Sequence, residues 1–402
     1  MIVKTIAAGL ISLAVLCTSA AAEAGDGVIR IGVLTDLSSF ASTSMGPGSV
    51  TAAQLAVKDF GGTVLGRKIE VISADMQSKP DLAVDIARRW YDTEAVDVII
   101  DVPASAAAIT IQGMALAKNR LFIATVAATT DLTGKACSPR GVHWGNDSAA
   151  MSRGLVNAMA KGGARTWFLI MPDYAIGKAI AGAAQARIEA GGGRVLGRIF
   201  YPPNSTDYAQ YLLQAQQSAA DVIGVGNIGI DLSTLIKQAG EFGIVPSSRQ
   251  KLAAFVMNLS DIHAVGLKTM QGVYIVQDFY WDTNEATRAF AKAFFAVRGA
   301  MPNYTHASNY SGVLAYLNAV REAGTDDPAA VVARMRKAPM SRFGAAATLR
   351  ADGRVVNAVG LYRIKSPAES QMPWDYLTLE RTIPGDQAFL SMAEGACPLV
   401  GH

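Results

Sequence analysis

Short apolar runs alternate along this chain with longer stretches whose apolar positions recur every three to four residues. Residues 28–34 are the first such run, Val-Ile-Arg-Ile-Gly-Val-Leu, and it stops at a loop, 35–44, rich in Thr, Ser and Asp. Gly46-Pro47-Gly48 then opens an Ala/Val-rich segment, 49–60, with helical spacing. The unit reads as strand, loop, helix. Its loop sits at the carboxyl end of a strand, where open α/β sheets bind ligands, and its hydroxyls and free amides suit an anionic or polar small molecule; an ordinary capped turn would have the same spelling. The same alternation continues through 67–73, a helix over 81–91 behind Pro80, 96–100, a helix over 104–118, and 121–125. Strands and helices at this spacing predict a parallel sheet wrapped by helices.

An irregular stretch, 131–141, leads to a helix near Ser148, and the pattern restarts. Strand-like runs at 166–171, 194–200, 220–225 and 252–256 are separated by a helix closed by Gly191-Gly192-Gly193, a helix over 207–218 capped by Ser205-Thr206, and a helix reaching Phe242. Two βα stacks in series predict two lobes of one architecture with a cleft between them. Beyond Ser260 the order loosens: a strand at 272–276, helices over 285–298 and 304–323, a third starting at Pro328, and a hairpin whose Asp352-Gly353 turn joins 347–350 to 355–364.

The amino terminus has another character. Lys4, the apolar run 6–16 and the small residues of 18–24 make a secretory signal, too short to remain as a membrane span, with cleavage after Ala22 or Ala24. Leu16 stands before Cys17 where a lipoprotein signal wants a small residue, which argues against lipid anchoring. No later stretch reaches a spanning length. About 380 residues remain, enough for two cores. The formal net charge of +3 includes Lys4 of the signal, so neither nucleic acid nor an acidic surface is implied. Cys137 and Cys397 are then the only cysteines, and export makes them either a disulfide or two separate buried thiols.

Catalytic templates are mostly missing. Gly224-Val-Gly226-Asn-Ile-Gly229 matches the dinucleotide fingerprint, but it lies in the third unit of the second stack and the next strand, 252–256, ends without an acidic ribose partner. No nucleophile elbow, phosphate loop or zinc-protease helix is present, and His143, His263, His306 and His402 never pair at ligand spacing. Neither a metal nor a cofactor is expected, and no catalytic residue. The aromatic cluster Phe279-Tyr280-Trp281-Asp282 follows a strand; it suits a ligand-stacking wall or a core equally.

The opening Ile-Gly-Val-Leu-Thr-Asp-Leu-Ser, Gly46-Pro47-Gly48, Val102-Pro103-Ala104-Ser105, Leu132-Thr133, Pro172 to Gly177, the 239–243 turn and Arg350-Ala-Asp-Gly-Arg354 together resemble the type I periplasmic solute-binding proteins of ABC importers, in their branched-chain amino acid (Leu/Ile/Val)-binding family. The resemblance spans nearly the whole mature chain. It implies an α/β fold of two Rossmann-like lobes joined by three crossovers and closing on a ligand in the cleft. It divides the chain into a signal, 1–24; a first lobe, 25–145 with 259–343; a second lobe, 146–258 with 344–380; and a tail, 381–402, returning to the first lobe. It implies a periplasmic protein, no enzyme, expected as a monomer, that delivers a small carboxylate to an inner-membrane permease. A periplasmic sensing subunit for a membrane receptor would share these features, and a secreted enzyme is the remaining alternative.

Family positions for the ligand carboxylate fall at Ser105 and in the 126–128 loop, at Val126 and Ala128, the latter in place of a common threonine. Those for the ammonium and the closing wall fall at Ser44, Ile176, Ile228 and near Asn258, where the family's tyrosines and acidic residue are absent. Phe40, Tyr174, Asn227 and Tyr280 complete the expected site. A buried ammonium without a carboxylate partner is costly, so a non-amino acid ligand is favoured over leucine or valine, with Asp231, Asp261 or Asp282 as the residues able to restore an amino-acid site. The spelling Asp173-Tyr-Ala, Phe279-Tyr-Trp-Asp and the cysteine pair also resemble a subgroup of the family tied to aromatic carboxylates such as hydroxybenzoates.

Overall fold

A computed structural model describes residues 27–400 apart from 40–41, 174, 203–204, 228, 247–248 and 338. The expected signal, its cleavage site and Cys17 lie outside the described residues. Strands β1 (Val28–Thr35), β2 (Thr63–Val64), β3 (Arg67–Asp75), β4 (Val98–Asp101), β5 (Leu121–Ala124) and β6 (Gly141–His143) form one sheet in the order β2-β3-β1-β4-β5-β6. All neighbours in it are parallel except the short β2–β3 pair. β4 and β5 are buried along their whole length, as strands covered by helices on both faces must be.

β7 (Thr166–Pro172), β8 (Arg194–Tyr201), β9 (Val222–Val225), β10 (Lys251–Ala254) and β11 (Tyr274–Gln277) make the parallel part of a second sheet. A small antiparallel sheet follows: β12 (Met340–Arg342), β13 (Ala345–Leu349) and β14 (Val355–Asn357). β15 (Val359–Ile364) and β16 (Leu377–Ile383) then finish the second sheet as its antiparallel edge, in the order β16-β15-β11-β10-β9-β7-β8.

Sheet membership departs from the sequence reading at two places. β11, grouped by sequence with the first lobe, is hydrogen-bonded between β10 and β15 in the second sheet. Conversely Ala347, Leu349 and Val355, grouped with the second lobe, pack in one core with Ile31, Val33, Ile100 and the helix Tyr304–Ala323 of the first. The expected hairpin also differs. The segment 355–364 breaks after Asn357, its first part pairing with β13 and its second with β11, and the Asp352-Gly353 turn is part of a five-residue loop rather than a two-residue one, since Leu349 pairs with Val355. That loop is a wedge. Gly353, at φ +86°, accepts the His143 N–H on its carbonyl, and a Cβ there would stand 2.8 Å from the Gly141 carbonyl.

The chain therefore passes between the two sheets three times: from β6 to the helix Ser148–Lys161, from β11 towards the helix Tyr304–Ala323, and from β14 to β15. One buried side chain meets all three passages. Arg342 donates to the Trp144 carbonyl (3.1 Å), to Asn357 Oδ1 (3.0 Å) and to Ser308 Oγ (3.0 Å), and pairs with Asp278 at 2.7 Å. Arg354 adds two contacts to the first of them, donating to the Gly145 carbonyl and pairing with Asp147. A fourth tie is covalent: Cys137 and Cys397 are joined, which brings the tail back against the first lobe after β16 has left the second sheet. The reading of two separate thiols is thereby excluded.

Candidate functional site

Parallel strands deliver their carboxyl ends to one edge of each sheet, and the loops leaving those edges carry the expected ligand positions. On the first lobe, Ser44 follows β1, Ser105 follows β4, and Val126 and Ala128 follow β5. β1, β4 and β5 are neighbours, so these loops lie side by side.

The loop behind β1 is held from outside. Ser44 offers its carbonyl to Asn303 Nδ2 (2.8 Å) and Thr305 Oγ1 (2.5 Å), and the Met45 carbonyl meets His306 Nε2 at 3.3 Å. Gly48 lets the helix Gly46–Phe60 approach that close, because a Cβ there would overlap the imidazole. Burial pushes His306 down to about 4, so its ring is neutral and serves as packing and cap, with its backbone N–H on Asn303 Oδ1.

The turn behind β4 is strained. Asp101 and Val102 sit at φ +79° and +53°, a region that non-glycine residues, and β-branched ones above all, rarely enter. The bend aims Pro103 and Ala104 into the helix Ser105–Ala117, whose N-cap, Ala104, supplies no side-chain acceptor. The N–H groups of Ser105, Ala106 and Ala107 and the Ser105 hydroxyl have no hydrogen-bond partner among the described residues. In the adjoining loop the carbonyls are used, Ala127 by His143 Nε2 (2.8 Å) and Ala128 by the Ser148 N–H (2.8 Å), while the N–H groups of Val126, Ala127 and Ala128 have no partner there. Neutral donors converging beside a helix N-terminus form an acceptor for one negative group.

Beneath them lies Asp101, fully buried. Burial raises its carboxyl to about 6, against the opposite pull of the nearby Ser49, Thr35 and Asn309 side chains. Thr125 and Asn309 are themselves bonded at 2.8 Å, and Asn309 donates to Ser49 at 3.1 Å, so the carboxyl is set in a connected polar floor.

On the second lobe Ile176, Asn227, Asn258 and Tyr280 follow β7, β9, β10 and β11, again neighbouring strands. Ile176 is an exposed apolar side chain. Asn227 is fully buried, and neither its amide nitrogen nor its oxygen has a partner among the described residues. Asn258 is the N-cap of the helix Leu259–Val265, with its N–H on Asp261 Oδ2 at 2.8 Å. Tyr280 is buried in the second lobe's core, and its hydroxyl takes the Tyr376 N–H (3.0 Å) and meets the Trp374 carbonyl (3.2 Å). Phe279 and Trp281 pack in the same core. Phe40, Tyr174 and Ile228 lie outside the described residues.

The acidic side chains of this edge are already engaged. Asp173 pairs with Lys178 (2.7 Å), Asp207 accepts from the Ala209 N–H (2.9 Å), Asp261 from Asn258, Asp278 pairs with Arg342 and Asp282 with Arg288 (3.0 Å). Asp231 has a partner as well. Two glycines of the fingerprint-like Gly224 to Gly229 are likewise spoken for by packing: a Cβ at Gly224 would stand 2.9 Å from both Leu169 and Phe255, and one at Gly226 would overlap Met171.

Two residues that matter here, Asp101 and Arg342, went unnoticed in the sequence. Asp101 had a faint signal, an acid closing an all-apolar run, Val98–Asp101, directly ahead of Val102-Pro103; Arg342 had none.

Comparison with known proteins agrees with this geometry. A family model described as periplasmic binding protein matches residues 28–370. A solved branched-chain amino acid ABC transporter periplasmic ligand-binding protein from Burkholderia xenovorans LB400 is 38% identical, with a TM-score of 0.88 over 92% of this chain and 99% of that one. A Leu/Ile/Val-binding protein homolog 8 from Brucella suis is 23% identical over 81% of this chain and 84% of its own length. A Rhodopseudomonas palustris BisB5 solute-binding protein of an ABC transporter, solved in complex with 3,4-dihydroxybenzoic acid, shares the fold at 21% identity and a TM-score of 0.78, over 90% of this chain and 98% of that one. The matched span covers most of the chain, and the chain belongs to the periplasmic binding protein family.

Proposed function

We propose that this chain, a substrate-binding protein of the ABC-transporter type, captures a small non-amino carboxylate, aromatic or branched aliphatic, between its lobes and passes it to an inner-membrane permease. The observation that carries the ligand class is the state of the acidic residues on the second lobe's binding edge: Asp173, Asp278 and Asp282 are each paired with a cation, and Asp207 and Asp261 each accept a backbone N–H. The first lobe still offers a carboxylate the N–H groups of residues 105–107 and 126–128 with the Ser105 hydroxyl. An anion held by neutral donors needs no counter-charge, whereas a buried ammonium without one does. The complex of the R. palustris relative with an aromatic acid supports the same class at the level of the fold. The segment 1–24 directs export to the periplasm; no helix among the described residues is long and apolar enough to cross a membrane.

The name of the B. xenovorans relative favours a second reading, an amino-acid ligand. Calorimetric titration separates the two. Benzoate-like or branched aliphatic acids are expected to bind more tightly than leucine or valine. Submicromolar leucine binding, about −8 kcal/mol or stronger, with no response to those acids, would overturn the proposal.

A further inference from the structure

At the opposite end of the second lobe from its binding edge, where β7 and β8 begin, lies a groove of about 510 Å³. Arg153, Lys161, Arg165 and Arg187 line it; Asp386 is the one acid in the lining, while Glu394 pairs with Arg153 and Asp221 stands near Arg165. We propose that this groove binds an oxyanion of the phosphate type, free or carried on a lipid headgroup.

The argument is one of unmatched charge. Arg187 Nε is bonded to Asn157 Oδ1 at 2.5 Å and Lys161 Nζ to Gln387 Oε1 at 2.6 Å, so each cation has a neutral partner and no ion pair among the described residues. The amide of Asn157 is fixed in turn on the Gln387 carbonyl at 2.5 Å, which holds the guanidinium of Arg187 in one orientation, and its two terminal nitrogens have no acceptor among the described residues. Arg153 is paired at the rim with Glu394 (2.7 Å), but its Nε is buried and has no acceptor among the described residues. Asp386 lies in the same groove and pairs with none of the four. Like charges gathered around one concavity repel unless an anion joins them, and guanidinium forks with an ammonium match the tetrahedral oxygens of phosphate. The apolar floor, Val156, Ala160, Ala164 and Ile188, keeps the dielectric low beneath the charges and leaves room for a substituent on the phosphate.

The test uses the full mature chain at constant ionic strength in chloride. Inorganic phosphate is titrated calorimetrically, and sedimentation with phosphatidylglycerol vesicles, against phosphatidylcholine vesicles, reads the headgroup form. Lys161 is exposed and Arg187 half-buried, and the fold of the variants R187Q and K161Q is checked by circular dichroism. Saturable phosphate binding weakened at least tenfold by either variant supports a free oxyanion. Vesicle binding lost in the same variants, with no response to phosphate, supports the headgroup. No saturable binding in either arm, or binding that both folded variants retain at wild-type strength, overturns the proposal. Because the groove is remote from the cleft, S105A leaves the phosphate result unchanged whatever it does to carboxylate binding.

Discussion

Removing Arg342 is the sharpest test of how the lobes are joined. In R342M the stem volume is roughly kept, but Asp278, whose side chain is wholly buried, loses its cation, and the Trp144 carbonyl, Asn357 Oδ1 and Ser308 Oγ each lose a donor. Breaking a buried pair by deleting one partner costs about 3 to 5 kcal/mol, chiefly because a charge is left uncompensated. The neutral acceptors add up to about 1 kcal/mol each where water cannot replace the donor. We therefore expect R342M to lose at least about 4 kcal/mol, a large share of a stability near 5 to 15 kcal/mol. D278L/R342M removes the stranded charge as well and should recover about 2 to 3 kcal/mol of the loss. Urea titration followed by tryptophan fluorescence measures both, with the Trp144 ring 5.7 Å from the Arg342 guanidinium as a local reporter. A single variant costing under about 1 kcal/mol, or a double variant as unstable as the sum of the two singles, refutes the reasoning.

Other consequences can be checked independently. With Cys137 and Cys397 joined across 260 residues, thiol titration of the unfolded, unreduced protein should find no free thiol, and reduction should cost up to about 5 kcal/mol in the chain-entropy account; two titratable thiols would contradict the bond. A ligand that bridges the lobes should lower the radius of gyration in small-angle scattering, and an unchanged profile with a confirmed ligand would count against hinged closure. Asp101 titrates at about 6 in the fold against an ordinary 3.8, so its penalty is absent below the unfolded value and complete above the folded one; stability falls by about 3 kcal/mol from this group as pH rises through that window. D101N should flatten that limb relative to wild type, and identical pH profiles for the two proteins would show that the carboxyl is not buried as described.

Local periodicity made the parallel strands and the long helices legible because each is specified by its own residues. The helix Glu285–Arg298, for instance, carries its start in Asn284 and its stop in Gly299 at φ +67°. Long-range placement was not legible. β11 spells an ordinary buried strand, and only pairing with β10 and β15 decides its lobe. The break between β14 and β15 falls at Asn357 and Ala358 within one extended segment, where the competition is between two partner strands and not between strand and loop. Tyr280 could be placed after a strand but not on a side of it, and its hydroxyl turned out to hold the Trp374 to Leu377 segment. Arg342 was invisible for the same reason: a single arginine in a short polar-apolar run gains its meaning from four partners contributed by three other segments.

These long-range ties bear on how the proposed capture works. The first lobe's donors are organised by contacts that lie wholly within that lobe, the strained turn at Asp101 and Val102, the Asn303 to His306 cap and the Thr125, Asn309 and Ser49 floor. They are therefore the same in any arrangement of the lobes, and a carboxylate bound there alone shifts no equilibrium between open and closed states. Closure has to be driven by what the ligand's other end gains from the second lobe. Among the described residues of that edge, Asn227 is the buried amide with both atoms unspent, while the acids are committed. An apolar body with a hydrogen-bonding group at its far end gains there what an ammonium does not, so the discrimination between acid classes resides in the closing step rather than in the first encounter.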